Sequence, residues 1–142
     1  MLKKKTVLIT AGASGIGLAI AKAFSADGAQ VHLCDISETA VAEINYNLPN
    51  VTTTVADVSQ QEQVDRLFDD LNRHHGRLDI LVNNVGIAGP TAALEDIDPK
   101  DWQRTLDIDL NSLFYVSRQA VPLLKDSRGS MINMASNAAL FG

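Results

Sequence analysis

The chain has 142 residues, 46% of them hydrophobic, and its 12 basic and 17 acidic side chains leave a net charge of -5. That length and apolar content support one domain, residues 1–142, with a real core and no composition break. An acidic chain with no basic patch beyond Lys3-Lys4-Lys5 does not suit nucleic acid, and no apolar run approaches the roughly 18 residues that cross a bilayer.

The lysine run reads as solvated charge ahead of the first strand rather than as a signal peptide, because Gly12, Ser14, Gly15 and Gly17 interrupt the apolar segment after it. Thr6 to Thr10 is predicted as that strand. Thr10-Ala11-Gly12-Ala13-Ser14-Gly15-Ile16-Gly17 then leads into a helix from Gly15 to Ala26, whose Ile16, Ile20, Ala23 and Phe24 are predicted to share a face. A glycine-rich turn between a strand and a helix binds phosphates, since bare backbone approaches them closely and the helix N-terminus presents unpaired N–H groups. Gln30 to Asp35 is a second strand, and Asp35 ends it about 20 residues after the turn, where a carboxylate can accept from a ribose diol. Together these features describe a site for a dinucleotide.

Ser37 caps a short helix to about Tyr46, with Pro49 as its stop, and Val51 to Val55 is β-branched as a strand should be. Ser59 and Glu62 form a capping-box pair opening a helix lined by Val64, Leu67, Phe68 and Leu71. Leu78 to Val82 is a fourth strand, Asp98-Pro99 starts a helix running to about Leu124, and Ser130 to Met134 is a fifth strand. Cys34 is the lone cysteine, which excludes a disulfide framework, suits the cytoplasm, and reads as a small buried strand residue. His74 and His75 are adjacent and so point to different sides of a helix, a poor metal pair and a better charge at a helix C-terminus. Metal ligation is not expected, and Trp102 reads as an anchor of its helix.

Alternation of this kind implies an α/β fold, a doubly wound parallel sheet of Rossmann-like form with helices on both faces, stopping after the fifth strand. Ligands then lie beyond the carboxyl ends of the strands. Asp57 follows strand three, Asn83-Asn84-Val85-Gly86 strand four and Ser136 strand five, so they converge on one rim.

Through the turn at Thr10 to Gly17, Asp57-Val58, Asn83-Asn84-Val85-Gly86 and Asn133-Met134-Ala135-Ser136, the chain resembles the short-chain dehydrogenase/reductase family, colinearly over nearly its whole length. The resemblance implies that Gly12, Ser14, Gly15, Ile16 and Gly17 hold the pyrophosphate, Asp57 and Val58 contact adenine, and Asn84 and Gly86 lie along the cofactor. It also implies that Ser136 is the catalytic serine that hydrogen-bonds the substrate oxygen. A carboxylate at Asp35 repels a 2'-phosphate and accepts well from a free 2'-hydroxyl, so NAD is expected rather than NADP. A turn residue capping the next helix is the competing reading of Asp35.

Three departures from the family pattern stand out. Ala11 replaces the usual first glycine, with Gly12 expected to supply the flexibility, and Val85 replaces an alanine. Asp109 falls where the family places an asparagine supporting a water-mediated proton relay. At about 100° per residue it lies within an arc of Trp102, Leu106, Leu110, Leu113, Ser117, Ala120 and Leu124, where a carboxylate needs a partner or a proton. Last, the family's tyrosine acid/base and its companion lysine belong beyond Gly142, so the 142 residues alone are expected to bind a dinucleotide without turning it over. Tyr46 and Tyr115 do not substitute for that tyrosine.

The resulting expectation is an NAD-dependent oxidoreductase interconverting a secondary alcohol and a ketone, from the cytoplasm. The alternative is an inactive dinucleotide-binding protein or truncated product; a purely structural module leaves the cofactor residues unexplained. Ile108 and Tyr115, placed opposite the arc, suggest a homo-oligomer, a dimer or tetramer. Sugar, polyol, keto-acid and steroid substrates all remain open.

Overall fold

The computed structural model describes Leu2, residues 4–48 and residues 50–137. The predicted stop at Pro49 lies outside the described residues. Strands β1 (Thr6–Thr10), β2 (Gln30–Asp35), β3 (Val51–Val55), β4 (Ile80–Asn83) and β5 (Ser130–Asn133) form one parallel sheet in the order β3-β2-β1-β4-β5. Helices α1 (Gly15–Ala26), α2 (Glu38–Asn47), α3 (Gln61–His74), α4 (Pro99–Leu106) and α5 (Ser112–Ser127) connect them. This is the doubly wound α/β architecture expected from the alternation.

Every residue of β1 is buried, as suits a central strand covered on both faces. Its side chains alternate between two cores. Leu8 joins Cys34, Val64, Leu67, Phe68, Leu71, Leu81 and the α5 residues Val116, Ala120 and Leu124 on one face. Val7 and Ile9 join Ala21, Val31, Leu33, Val41, Ile44 and Val82 under α1 and α2 on the other. Each buried Val, Leu, Ile or Phe side chain contributes about 1.5–3 kcal/mol of burial energy.

Helix α1 buries Gly17 and Ala21, with Ile20 and Phe24 partly covered, while Ile16 is 64% exposed and Ala23 lies on the surface. The apolar face is therefore one step round from the predicted one. Ser37 caps α2 as expected, its hydroxyl accepting from the Ala40 N–H at 3.2 Å. The predicted capping box does not form at α3. Its N-cap is Gln60, and the Ser59 hydroxyl instead donates to Asp57 Oδ1 at 2.7 Å.

The predicted single helix from Asp98 is α4 and α5 joined through a π-turn at Asp107–Asn111. Asp98 accepts from the Lys100 N–H at 2.7 Å and Pro99 takes the first helical position, as expected. The wide turn, however, adds about one residue to the ladder, while Ala120 and Leu124 of the predicted arc are buried as expected. The residues buried on α5 are Ser112, Val116, Ala120 and Leu124, while Trp102 is 54% and Leu110 58% exposed. Trp102 is not an anchor. Tyr115, predicted on the far side, packs partly buried against the core below α5.

The amino end of the sheet is closed by an ion cluster. Asp79 is buried and accepts from Lys5 Nζ at 2.8 Å, Arg77 Nε at 2.8 Å, Arg77 Nη2 at 2.6 Å and the Thr6 N–H at 3.0 Å. Lys5 is thus a partner of Asp79, not freely solvated charge.

Candidate functional site

The turn after β1 is built to hold its main chain close to other main chain. Gly12 donates its N–H to the Cys34 carbonyl at 2.9 Å, and a Cβ there would stand 2.6 Å from Leu33 Cβ. A Cβ on Gly17 would overlap the Ala11 carbonyl oxygen. Both residues are buried, so they shape the turn rather than face a ligand. Ser14, Gly15 and Ile16 are exposed on its rim; Gly15 has φ +50 and open space where a side chain would be.

The flexibility expected of Gly12 resides elsewhere. Ala11 itself adopts φ +49, a left-handed conformation that costs an L-residue about 1–2 kcal/mol. Ala11→Gly is therefore expected to raise stability by about 0.5–1 kcal/mol after the entropy of glycine is deducted, seen as a melting temperature a few degrees higher. A lower melting temperature would contradict strain at this position.

Asn84 braces the same turn. Its Nδ2 donates to the carbonyl oxygens of Thr10 at 3.2 Å and Ala11 at 3.1 Å, and its N–H donates to Thr10 Oγ1 at 3.0 Å. Both amide hydrogens are spent on the turn, which makes Asn84 a positioning residue. Thr10, missed in the sequence, also accepts from the Val85 N–H at 3.3 Å. Asn83 Nδ2 donates to Asn133 Oδ1 at 2.8 Å and Ser117 Oγ at 3.2 Å, tying β4 to β5 and α5.

Helix α1 begins at this turn without a side-chain cap, since Ser14 makes no capping hydrogen bond. Its first-turn N–H groups are the orphan donors that an anion satisfies. Beside them stands Asp35. Its Oδ2 accepts from the Ala13 N–H at 3.1 Å and its Oδ1 from the Ser37 N–H at 3.1 Å. The turn-residue reading of Asp35 is therefore realised, since it accepts from the Ser37 N–H at the entry to α2.

A cleft of about 660 Å³ opens beyond the carboxyl ends of β2, β3 and β4. Asp35, Asp57 and Val58, predicted for the adenosine half, line it together with Val85 and Gly86. Asp57 Oδ1 accepts from the Ser59 N–H at 2.9 Å, and the Asp57 N–H donates to Gln63 Oε1 at 2.9 Å. The cleft is also lined by α4, through Lys100, Gln103 and Arg104, and by Asp107 and Ile108 of the π-turn. Those residues were missed, although their spacing of three and four positions marks one helix face. Cys34 borders the cleft too, but burial pushes its thiol up to about 12, so it is no nucleophile at neutral pH.

Asp109 does not sit in an apolar arc. It is exposed, and its Oδ1 accepts from the Ile87 N–H at 2.8 Å. With solvent and a main-chain donor, the carboxylate needs no cation. A small cavity joins Asp109 to Thr10, Asn83, Ser112 and Met134. Ser136 lies on the exposed segment after β5, at the same carboxyl end of the sheet. His75 differs from the prediction as well: burial, with His74 close by, lowers its pKa, and its ring turns inward to Thr52 rather than acting as a cation at the helix end. Among the described residues no group of side chains fits a metal ion, and no helix is long and apolar enough to cross a membrane.

A parallel sheet in this order, with a glycine turn, an acid closing β2 and a cleft at the strand ends, defines a Rossmann-like α/β chain. The model of a family described as enoyl-(acyl carrier protein) reductase matches residues 10–142. A short chain dehydrogenase/reductase of Gibberella zeae is 38% identical over 99% of this chain and 54% of its own length. An L-fucose dehydrogenase of Bos taurus is 34% identical over 97% of this chain and 51% of its own. A meso-2,3-butanediol dehydrogenase of Serratia marcescens is 35% identical over 97% of this chain and 55% of its own. The chain spans about half the length of the curated relatives it matches. It belongs to the short-chain dehydrogenase/reductase family, a family of oxidoreductases.

Proposed function

We propose that the protein is an NAD-dependent oxidoreductase that interconverts a secondary alcohol and a ketone. The observation that carries this reading is the 3.1 Å hydrogen bond from the Ala13 N–H to Asp35 Oδ2. It ties the acid closing β2 to the glycine turn, which sets a ribose-binding carboxylate beside the uncapped start of α1. The open space at Gly15 admits a pyrophosphate against the main chain there. The residues present therefore fit a nicotinamide dinucleotide, which when bound accepts or delivers a hydride.

In this reading Ser14, Gly15 and Ile16 hold the pyrophosphate, while Gly12, Gly17 and Asn84 keep the turn in shape. Asp35 takes the adenosine ribose, Asp57 and Val58 border the adenine, and Gly86 lies along the cofactor. Ser136 donates a hydrogen bond to the substrate oxygen. The proton at that oxygen is moved by the tyrosine and lysine that the family resemblance places after Gly142. Asp109 fixes the Ile87 main chain and holds a water of the relay in place of the usual asparagine. The substrate is a small alcohol or ketone, in keeping with the names of the relatives. The protein acts in the cytoplasm as a dimer or tetramer, and the exposed stripe of Leu110, Phe114 and Val121 is the face assigned to a second copy.

Calorimetric titration with NAD and NADP tests the assignment. Wild-type protein is expected to bind NAD at least tenfold more tightly than NADP, a difference of about 1.4 kcal/mol. Asp35→Ser is expected to erase that preference, because it removes the charge that repels a 2'-phosphate and the acceptor of the 2'-hydroxyl. Absence of saturable NAD binding would sink the functional reading, and unchanged discrimination in Asp35→Ser would sink the role of the acid.

A further inference from the structure

A chain of hydrogen bonds on the far side of β2 is not used by the proposed function. His32 on β2 is fully buried, opposite Thr52 on β3. Its Nδ1 lies 2.8 Å from Thr52 Oγ1 and its Nε2 3.0 Å from Thr54 Oγ1. Thr54 Oγ1 lies 2.9 Å from Asp70 Oδ2, and Thr52 Oγ1 lies 2.6 Å from His75 Nε2.

Each hydroxyl has a single proton, so the direction of every bond follows. The Asp70 carboxylate only accepts, which makes Thr54 its donor. Thr54 must then accept from His32 Nε2–H. A neutral His32 with Nε2 protonated has a bare Nδ1, which accepts the Thr52 proton. Thr52, its proton spent, accepts from His75 Nε2–H. With both histidines neutral, the run from His75 through Thr52, His32 and Thr54 to Asp70 has one consistent orientation. His75 Nδ1 is buried without a partner among the described residues, as expected of a bare ring nitrogen.

Protonation of His32 breaks this order. Nδ1 would become a donor aimed at Thr52, which already faces the His75 N–H. The Thr52 proton would be left with the Val31 carbonyl alone, 3.3 Å away, in place of the imidazole nitrogen at 2.8 Å. Of the charged and titratable groups around His32, Asp70 favours the imidazolium but is itself paired with Arg73 at 2.9 Å. His75 and His74 oppose it, with ring centroids 5.9 and 6.0 Å from that of His32. Beside it β1 places Leu8, and β3 supplies only the two threonines.

We propose that Asp70, Thr54, His32, Thr52 and His75 form an acid-sensitive latch, which fastens the carboxyl end of α3 to β2 and β3 at neutral pH and opens when His32 takes up a proton. Desolvation, with His75 and His74 adding to it, holds the His32 imidazole down at about 4. The folded state therefore binds fewer protons than the unfolded state between that value and the ordinary 6.5, and the folding equilibrium weakens as pH falls through this window. His32 alone accounts for a roughly 50-fold loss in the folding constant between pH 7 and 4.5.

Two measurements on the protein test the latch. Nitrogen NMR of the imidazoles is expected to show His32 neutral with Nε2–H down to about pH 5, and the amides of residues 70–75 losing exchange protection as it titrates. Urea unfolding is expected to show that His32→Gln, which keeps a donor for Thr54, removes at least fivefold of the wild-type loss between pH 7 and 4.5. An Nδ1–H tautomer, ordinary titration of His32, or amides indifferent to that titration would overturn the proposal even if the variant fails to fold. A folded variant as acid-sensitive as wild type would overturn it too.

Discussion

Gly17→Ala is expected to destabilise the protein by more than about 3 kcal/mol and to abolish dinucleotide binding. The added Cβ would meet the Ala11 carbonyl oxygen and stand 2.7 Å from Asn84 Nδ2. Neither neighbour can yield cheaply. Ala11 is already held at φ +49, and Asn84 Nδ2 is the donor that fixes the Thr10 and Ala11 carbonyls. The first turn of α1 would have to back away from β1, separating the orphan N–H groups from Asp35. Gly15→Ala is the internal comparison, since a side chain there meets open space and only the positive φ opposes it, at about 1–2 kcal/mol. Urea midpoints for the two variants should differ by at least twofold in lost stability; equal losses would show that close approach at Gly17 does not matter.

Asp79→Ala is expected to cost about 3 kcal/mol at pH 7. The substitution strips the acceptor from the Thr6 N–H, in a residue with no exposure, and leaves Lys5 and Arg77 facing each other. Both cations are about half exposed, so water offsets part of their loss and the penalty stays below that of a wholly buried pair. Burial alone would raise the Asp79 pKa. The hydrogen bonds from Arg77, Lys5 and the Thr6 N–H outweigh it and bring the carboxyl down to about 2. Because the folded value lies below the ordinary 3.8, this stabilisation is complete above that pH and fades as pH falls from about 4 to 2. The gap in stability between wild type and variant should therefore be clearly smaller at pH 3 than at pH 7. A gap of the same size at both values would contradict the assignment. The window lies below that of the His32 latch, so the two acid responses separate on the pH axis.

Local pattern carried much of the architecture. The apolar runs at 6–10, 30–35 and 51–55 became β1, β2 and β3 with the predicted bounds, and α1 spans the predicted residues. β1 and β2 lie inside the parallel sheet and carry buried runs that composition reveals directly, while β3 at the edge shows through its β-branched residues. The α3 start was misread because Ser59 has a nearer acceptor in Asp57, a competition that spacing alone does not display. Of the predicted arc, Ala120 and Leu124 are buried on α5 as expected, whereas Asp109 falls in the π-turn, which a fixed step per residue does not anticipate. The histidine latch was hidden in another way. Its members join across the β2–β3 register, where His32 faces Thr52, and that pairing brings together residues 20 positions apart. The acid and the glycines of the rim were legible since one short turn and one strand end suffice to place them.

Asp107–Asn111 also divides the labour of one long rod. Ahead of it, Lys100, Gln103 and Arg104 look into the cleft; behind it, Val116, Ala120 and Leu124 bed down on the sheet. With the change of phase absorbed in between, variation that retunes what the front half greets need not disturb how the rear half is seated. A lineage could remodel its ligand preferences there while its foundations stayed put.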